Sequence, residues 1–379
     1  MNTKNKIIAL ITVVMVVVIG VNFYKSNNSS NSTNISEPIK IGFILPLSGE
    51  IASLGENIKD GAVVAANEIN QVGGINGRKL ELVFEDGKCN LKDGVNAANK
   101  LINIDKVPIL ISGCSDETLG AAPLAEQSHT IILTPVSTNP KITTAGDYIF
   151  RLIPSDSFQG KFAADYLYDT LSKRKVAILF NTDKEWSVGV KTVFEKRFLE
   201  KGGQIVANEG VTSESRDLRT TLEKIKVSQP DVVYAPTFID SGIVLLKQST
   251  EIGLDTQIFG GDVWDDAKFG KEAGISGNGA RFSVVSNRQN PQFFIDAMSA
   301  LPGGKDINAY APRAYDAVKI VSNIFARVGT DTEKIKNELY KINNYIGIAD
   351  TYSIDNNGDL SNAQYSIKEF QNGQIIDVK

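Results

Sequence analysis

Ser115 follows a short apolar run, Val107 to Ser112, and Val136-Ser137-Thr138 follow another that ends near Thr134. Hydroxyls and free main-chain groups at two such places suit a carboxylate, above all if Ser115 opens a helix, whose unpaired N–H groups and dipole favour an anion. A serine that merely caps its own helix leaves the same sequence trace. Three more residues stand in like positions further on. Trp186 lies in the loop after Lys175 to Phe180, Phe238 comes after Asp231 to Ala235, and Asp262 after Gln257 to Gly261. An acid there can hold an ammonium group, and aromatic rings can cover apolar carbons. Taken singly, the rings also read as packing residues and the acid as a turn or cap.

What would bring these residues together is a regular alternation of strand and helix. Ile39 to Leu45 is β-rich, Asn57 to Val72 repeats apolar residues at helical spacing, and Gly73-Gly74 stops it. Lys79 to Phe84, Leu91 to Ile104, Val107 to Ser112, Thr118 to Ser128 and Thr130 to Leu133 continue as strand, helix, strand, helix, strand. A second run of the same kind extends from Lys175 to Gly260. Strands alternating with helices of this length predict parallel sheets covered on both faces, so the fold class is α/β with two doubly wound, Rossmann-like lobes. Ligands in such sheets bind beyond the carboxyl ends of the strands, where the candidate residues fall.

At 379 residues the chain suits two lobes and an N-terminal extra. With 40 basic against 44 acidic residues it has no excess charge to track a nucleic-acid backbone. His129 is the single histidine and Cys89 and Cys114 the only cysteines, so neither a metal centre nor a cofactor is expected. No G-x-S-x-G, P-loop or paired-carboxylate signature is present, and the glycines of LSGEIASLG have the wrong spacing for a dinucleotide fingerprint. The chain reads as a binding protein rather than an enzyme. The cysteines follow successive elements of the first lobe and, in an oxidising compartment, a disulfide between them would add roughly 3 kcal/mol on the chain-entropy model. Two separate buried thiols are the alternative.

The compartment is read from the N-terminus. Lys4 and Lys6 precede an apolar run, Ile7 to Val21, that extends to Phe23 and Tyr24. Residues 1–24 are therefore a signal or an uncleaved membrane anchor; no A-x-A pattern marks a cleavage site. Residues 25–38 are Ser/Asn-rich, a flexible linker with sequons starting at Asn27, Asn28, Asn31 and Asn34. The expected location is outside the cytoplasm, tethered or secreted.

From about Ile39 to Val378 the sequence resembles type I periplasmic solute-binding proteins, in particular the leucine/isoleucine/valine-binding group of ABC importers. The likeness rests on IKIGFILPLSGEIASLGENIKDGAVVAANEINQVGGINGRKLELVFED, the Cys89/Cys114 spacing, ILTPVSTNP, RDLRTTLEKIKVSQPDVVYAP, IFGGD, APRAYDAV and IDNNGDL. It implies a three-strand hinge near Asp156, Val285 and Leu360, with lobe 1 formed by 39–156 and 285–360 and lobe 2 by 157–284 and 361–379. It implies that Ser115 holds a ligand carboxylate, that Val136 and its neighbour Ser137 present main chain, that Thr138 reaches both ends of an amino acid, and that Asp262 takes the ammonium. It places Trp186 and Phe238 where the group has tyrosines, Leu54 where it has an aromatic, and Asp262 where it usually has glutamate. The expected partners are an amino acid, aliphatic or branched-chain, and a membrane permease, with the chain itself a monomer. A sensing receptor domain for amino acids, amides or urea is the alternative.

Overall fold

The computed structural model describes residues 37–302 and 307–378. The signal or anchor, nearly all of the linker and its sequons lie outside the described residues. Among the described residues no helix is long and apolar enough to cross a membrane. Pro38–Lys379 form one compact unit.

Two sheets dominate that unit. The first contains β1 (Ile39–Leu45), β2 (Leu80–Asp86), β3 (Ile109–Ser112), β4 (Ile131–Thr134) and β5 (Ile149–Arg151), all parallel in the order β2-β1-β3-β4-β5. Helices α1 (Ala52–Gln71), α2 (Leu91–Asn103) and α3 (Ser115–Ser128) connect the first four strands. Side chains of a strand alternate between faces. Accordingly Phe43 and Leu45 join one apolar cluster, with Ile109, Ile111, Ile131 and Leu133, while Ile44 joins another with Leu110, Ile132 and Ile149. Both faces are covered, which is why these strands are continuously apolar.

After β5 the chain enters the second lobe through α4 (Asp156–Asp165). The sheet there has β6 (Lys175–Asn181), β7 (Gln204–Val211), β8 (Val232–Ala235), β9 (Ile258–Gly260) and β10 (Arg281–Val285), linked by α5 (Glu185–Glu200), α6 (Arg219–Val227), α7 (Ile239–Glu251) and α8 (Ala267–Ala273). The chain then returns to the first lobe as α9 (Gln292–Ser299), α10 (Ala311–Val328) and α11 (Thr332–Leu339), followed by a ribbon of β11 (Tyr345–Ile346) and β12 (Thr351–Tyr352). Gly61 lets α10 lie close on α1: a Cβ there would stand 2.1 Å from the Ala311 carbonyl oxygen. A last passage brings β13 (Tyr365–Gln371) and β14 (Gln374–Asp377) to the second sheet, giving β14-β13-β10-β9-β8-β6-β7 with the β13 pairings antiparallel. Three chain passages thus join the lobes.

Candidate functional site

In each sheet the strand order reverses direction once, between β1 and β3 in the first and between β6 and β8 in the second. The loops leaving those strands diverge, opening a crevice at the sheet's carboxyl edge. The two crevices face each other across a half-open cavity of about 30 Å³, room for about two waters. Its walls are Ile51, Leu54, Gly113, Cys114, Ser115, Val136, Thr138 and Tyr310 from one lobe with Trp186, Phe238, Asp262 and Val263 from the other.

The structure brings together every expected ligand residue except Ser137, whose hydroxyl turns away to Thr118 Oγ1 at 2.6 Å. Ser115 is the first residue of α3 but not its cap; Cys114 holds that position and its side chain caps nothing. The Ser115 oxygen instead accepts the N–H groups of Thr138 and Asn139, each at 3.2 Å. Its own O–H therefore remains to donate beside the helix N-terminus, an anion-favouring place. Cys114 is bonded to Cys89, Cα to Cα 5.4 Å, which ties the start of α3 to the loop after β2. Buried Glu117 adds to that joint by accepting the Cys89 N–H at 3.0 Å.

Trp186 is not in a loop, as its sequence position suggests, but in the first turn of α5. The polar stretch Lys184-Glu185 hides that helix start from any apolar periodicity. Phe238 precedes α7, its N–H held by Asn181 Oδ1 at 2.7 Å. The two rings meet edge to face, centroids 5.8 Å apart, a favourable aromatic geometry.

The other end of the cavity is acidic. Asp262 is buried, and its Oδ2 accepts the hydroxyl of Tyr310 at 3.0 Å from across the cleft. Burial pushes its carboxyl up to about 6, against the pull of the Tyr310 hydrogen bond. A second carboxylate, Asp156, opens α4 and is wholly buried. Burial and then the charge of Asp262 hold it well above the ordinary range. The Gln159 amide, oriented to satisfy its neighbours, donates to Asp156 Oδ1 at 3.0 Å and accepts the Asp262 N–H at 3.2 Å. Asp156 Oδ2 and Trp186 Nε1 have no hydrogen-bond partner among the described residues. Asp262 lines the cavity and Asp156, joined to the same segment through Gln159, does not; with no basic side chain in the wall, the cavity favours a cation at Asp262.

Tyr310, Gln159 and Asp156 escape a reading of strand ends. Tyr310 is 48 positions from Asp262, on the segment that returns from the second lobe. Asp156 looks like a chain-crossing residue. The cues are indirect: Asp156 closes the string Ile153-Pro154-Ser155-Asp156, Tyr310 stands just before APRAYDAV, and nothing marks Gln159.

The lobes are shut on one another. Ser53 Oγ donates to Asp266 Oδ2 at 2.7 Å, the Asp240 N–H donates to Glu50 Oε1 at 2.5 Å, and Lys141 pairs with Glu185 at 2.7 Å. A larger, open cavity of about 740 Å³ adjoins along the same elements, with Ser53, Asn57, Asp265, Asp266, Asn308 and Lys368 in its wall. Its two buried acids are already matched, Asp265 by Lys368 at 2.8 and 2.9 Å and Asp266 by the Ser53 hydroxyl. The unmatched charge is in the small cavity.

Two α/β lobes closing on a polar-ended cavity define a binding protein with a cleft site. Residues 38–373 match the periplasmic binding protein family, and the chain belongs to it. It is 28% identical over 344 residues to the leucine-, isoleucine-, valine-, threonine- and alanine-binding protein of Pseudomonas aeruginosa, covering 88% of this chain and 90% of that one. Among solved structures it is similar to a leucine-binding protein, LivK, of Thermotoga maritima, with TM-score 0.84, 27% identity, and 90% and 98% of the two chains covered. It is also similar to the branched-chain amino-acid substrate-binding protein LivJ of Streptococcus pneumoniae in complex with isoleucine, with TM-score 0.81, 26% identity, and 89% and 97% covered.

Proposed function

We propose that this chain is the extracytoplasmic solute-binding component of an ABC importer, capturing an amino acid with a small or branched aliphatic side chain and presenting it to a membrane permease. The observation that carries the reading is the buried acid Asp262 in the wall of a cavity that also holds Ser115 at the start of α3. An α-ammonium at Asp262 would offset the charge that burial disfavours there, and an α-carboxylate at Ser115 would take the helix N–H groups. Thr138 would lie along the ligand between the two. Ile51, Leu54, Val136 and Val263 offer apolar surface to a side chain and no charge. The relatives named above, which bind leucine, isoleucine, valine, threonine or alanine, support the same class. The N-terminal apolar run would tether the chain at the outer face of the membrane or direct its secretion.

A thermal-shift panel on the full-length chain tests this. An aliphatic L-amino acid at a hundred times its dissociation constant should stabilise by about 2.7 kcal/mol, whereas amides, urea and organic acids without an ammonium group should not. A panel in which amides or urea shift the melting point and amino acids do not would favour the sensing receptor instead.

A further inference from the structure

Two arginines, Arg151 at the end of β5 and Arg313 in the first turn of α10, have no exposed surface. Each meets one carboxylate, Asp359 for Arg151 at 2.6 Å and Asp350 for Arg313 at 3.0 Å. Buried ion pairs add little stability over apolar residues of the same size, so their use calls for another reason. The remaining N–H groups supply it. Arg151 Nη1 donates to the carbonyls of Thr138 and Asn139, each at 3.1 Å, and its main-chain N–H donates to Gly358 at 2.9 Å. Arg313 Nη1 donates to the Leu152 carbonyl at 2.9 Å, Nη2 to the Ser286 carbonyl at 3.2 Å, and Nε to Asn287 Oδ1 at 3.0 Å.

Leu152, Ser286 and the loop of Gly358 and Asp359 sit at the first-lobe ends of the three passages between the lobes. Backbone there has left the sheet ladders, and buried carbonyls need donors. Arg313 joins the first passage to the second, and Arg151 joins the first to the third. Gly358 makes the close contact possible: its φ is +77°, and a Cβ would stand 2.5 Å from the Ile149 carbonyl oxygen.

We propose that Arg151 and Arg313 are positioning residues that fasten the three passages into one pivot, so that the lobes close along a single path. Arg151 also sets the Thr138 loop against the ligand. The proposal rests on the capture reading, because a fixed path matters only if the lobes move to close on a ligand. Arginine suits the task because one planar fork serves a carboxylate and two carbonyls together, which a lysine ammonium cannot reproduce.

Pulsed electron resonance between spin labels at Lys92→Cys and Glu223→Cys, both exposed and on opposite lobes, reads the spread of lobe separations in the full-length, ligand-free chain. Arg151→Lys and Arg313→Lys should each broaden that distribution about twofold while melting stays one cooperative transition. An unchanged width with a lowered melting point would make the arginines stability elements only and overturn the proposal. If either lysine variant fails to fold, Thr143→Val tests the same joint, since Thr143 Oγ1 accepts from Arg151 and donates to Asp359 at 2.7 Å. Broadening in that variant supports the pivot, and wild-type width overturns it. Because no ligand is added, these results stand apart from whether an amino acid is the cargo.

Discussion

Replacing Asp262 by asparagine should make the empty protein more stable and a worse binder at once. The carboxyl is buried and titrates at about 6, against an ordinary value of 3.8. A carboxyl whose folded value is raised binds its proton more readily in the folded state. Its contribution is nil below the unfolded value and becomes a full penalty as pH rises through about 6. Between 3.8 and about 6 the difference corresponds to about 3 kcal/mol, reached near pH 8. An asparagine side chain carries no charge to desolvate and can still accept from Tyr310, so Asp262→Asn should recover much of that amount. For a folded part of this size the melting point should rise by about 4 °C at pH 8 and not at pH 4. Binding moves the opposite way. Removing one partner of a buried charge pair costs about 2–5 kcal/mol, a weakening of about 30-fold to several thousandfold. Calorimetric titration and melting at both pH values measure the two effects. A variant that melts lower at pH 8 and binds an amino acid as tightly as the wild type would mean that Asp262 neither carries a penalised buried charge nor meets the ligand.

Ser115→Ala should weaken binding less, by about tenfold, because the helix N–H groups remain while the Thr138 and Asn139 amides lose their acceptor; calorimetry checks it. Cys89→Ser should lower stability by about 3 kcal/mol in urea unfolding, and a reductant should do the same to the wild type and nothing to the variant. Glu50→Gln should speed ligand release about threefold at low salt and less at high salt, since Glu50 reaches across the cleft to the N-terminal end of α7; stopped-flow dissociation measures it.

How far the sequence foreshadows this arrangement depends on what signal each part leaves. Strands such as Ile109–Ser112 and Val232–Ala235 are apolar on both faces and bounded by turn residues, so they stand out. The starts of the helices that carry the site do not. Apolar periodicity marks helices from Asn57 and Thr118 and leaves Trp186 in a loop, yet α1, α3 and α5 begin at Ala52, Ser115 and Glu185. Their first turns point at the cleft, and Ile51, Cys114 and Lys184 before them make no side-chain cap bond. Strand ends point to Ser115, Thr138 and Asp262 because topology alone places them together. Tyr310 and Asp156 depend on how the returning segment and the interlobe passage pack, which no local pattern records.

The proposed binding mode sets an ammonium on Asp262 and a carboxylate on Ser115. Its most direct test is calorimetric titration of the full-length chain at pH 6 with L-leucine and with its α-keto acid, in buffers of differing ionisation heat. Leucine should bind with release of a proton, because the ammonium draws Asp262 into its ionised form, and the keto acid should bind at least about a hundredfold more weakly. Equal affinities, with no proton released, would contradict it.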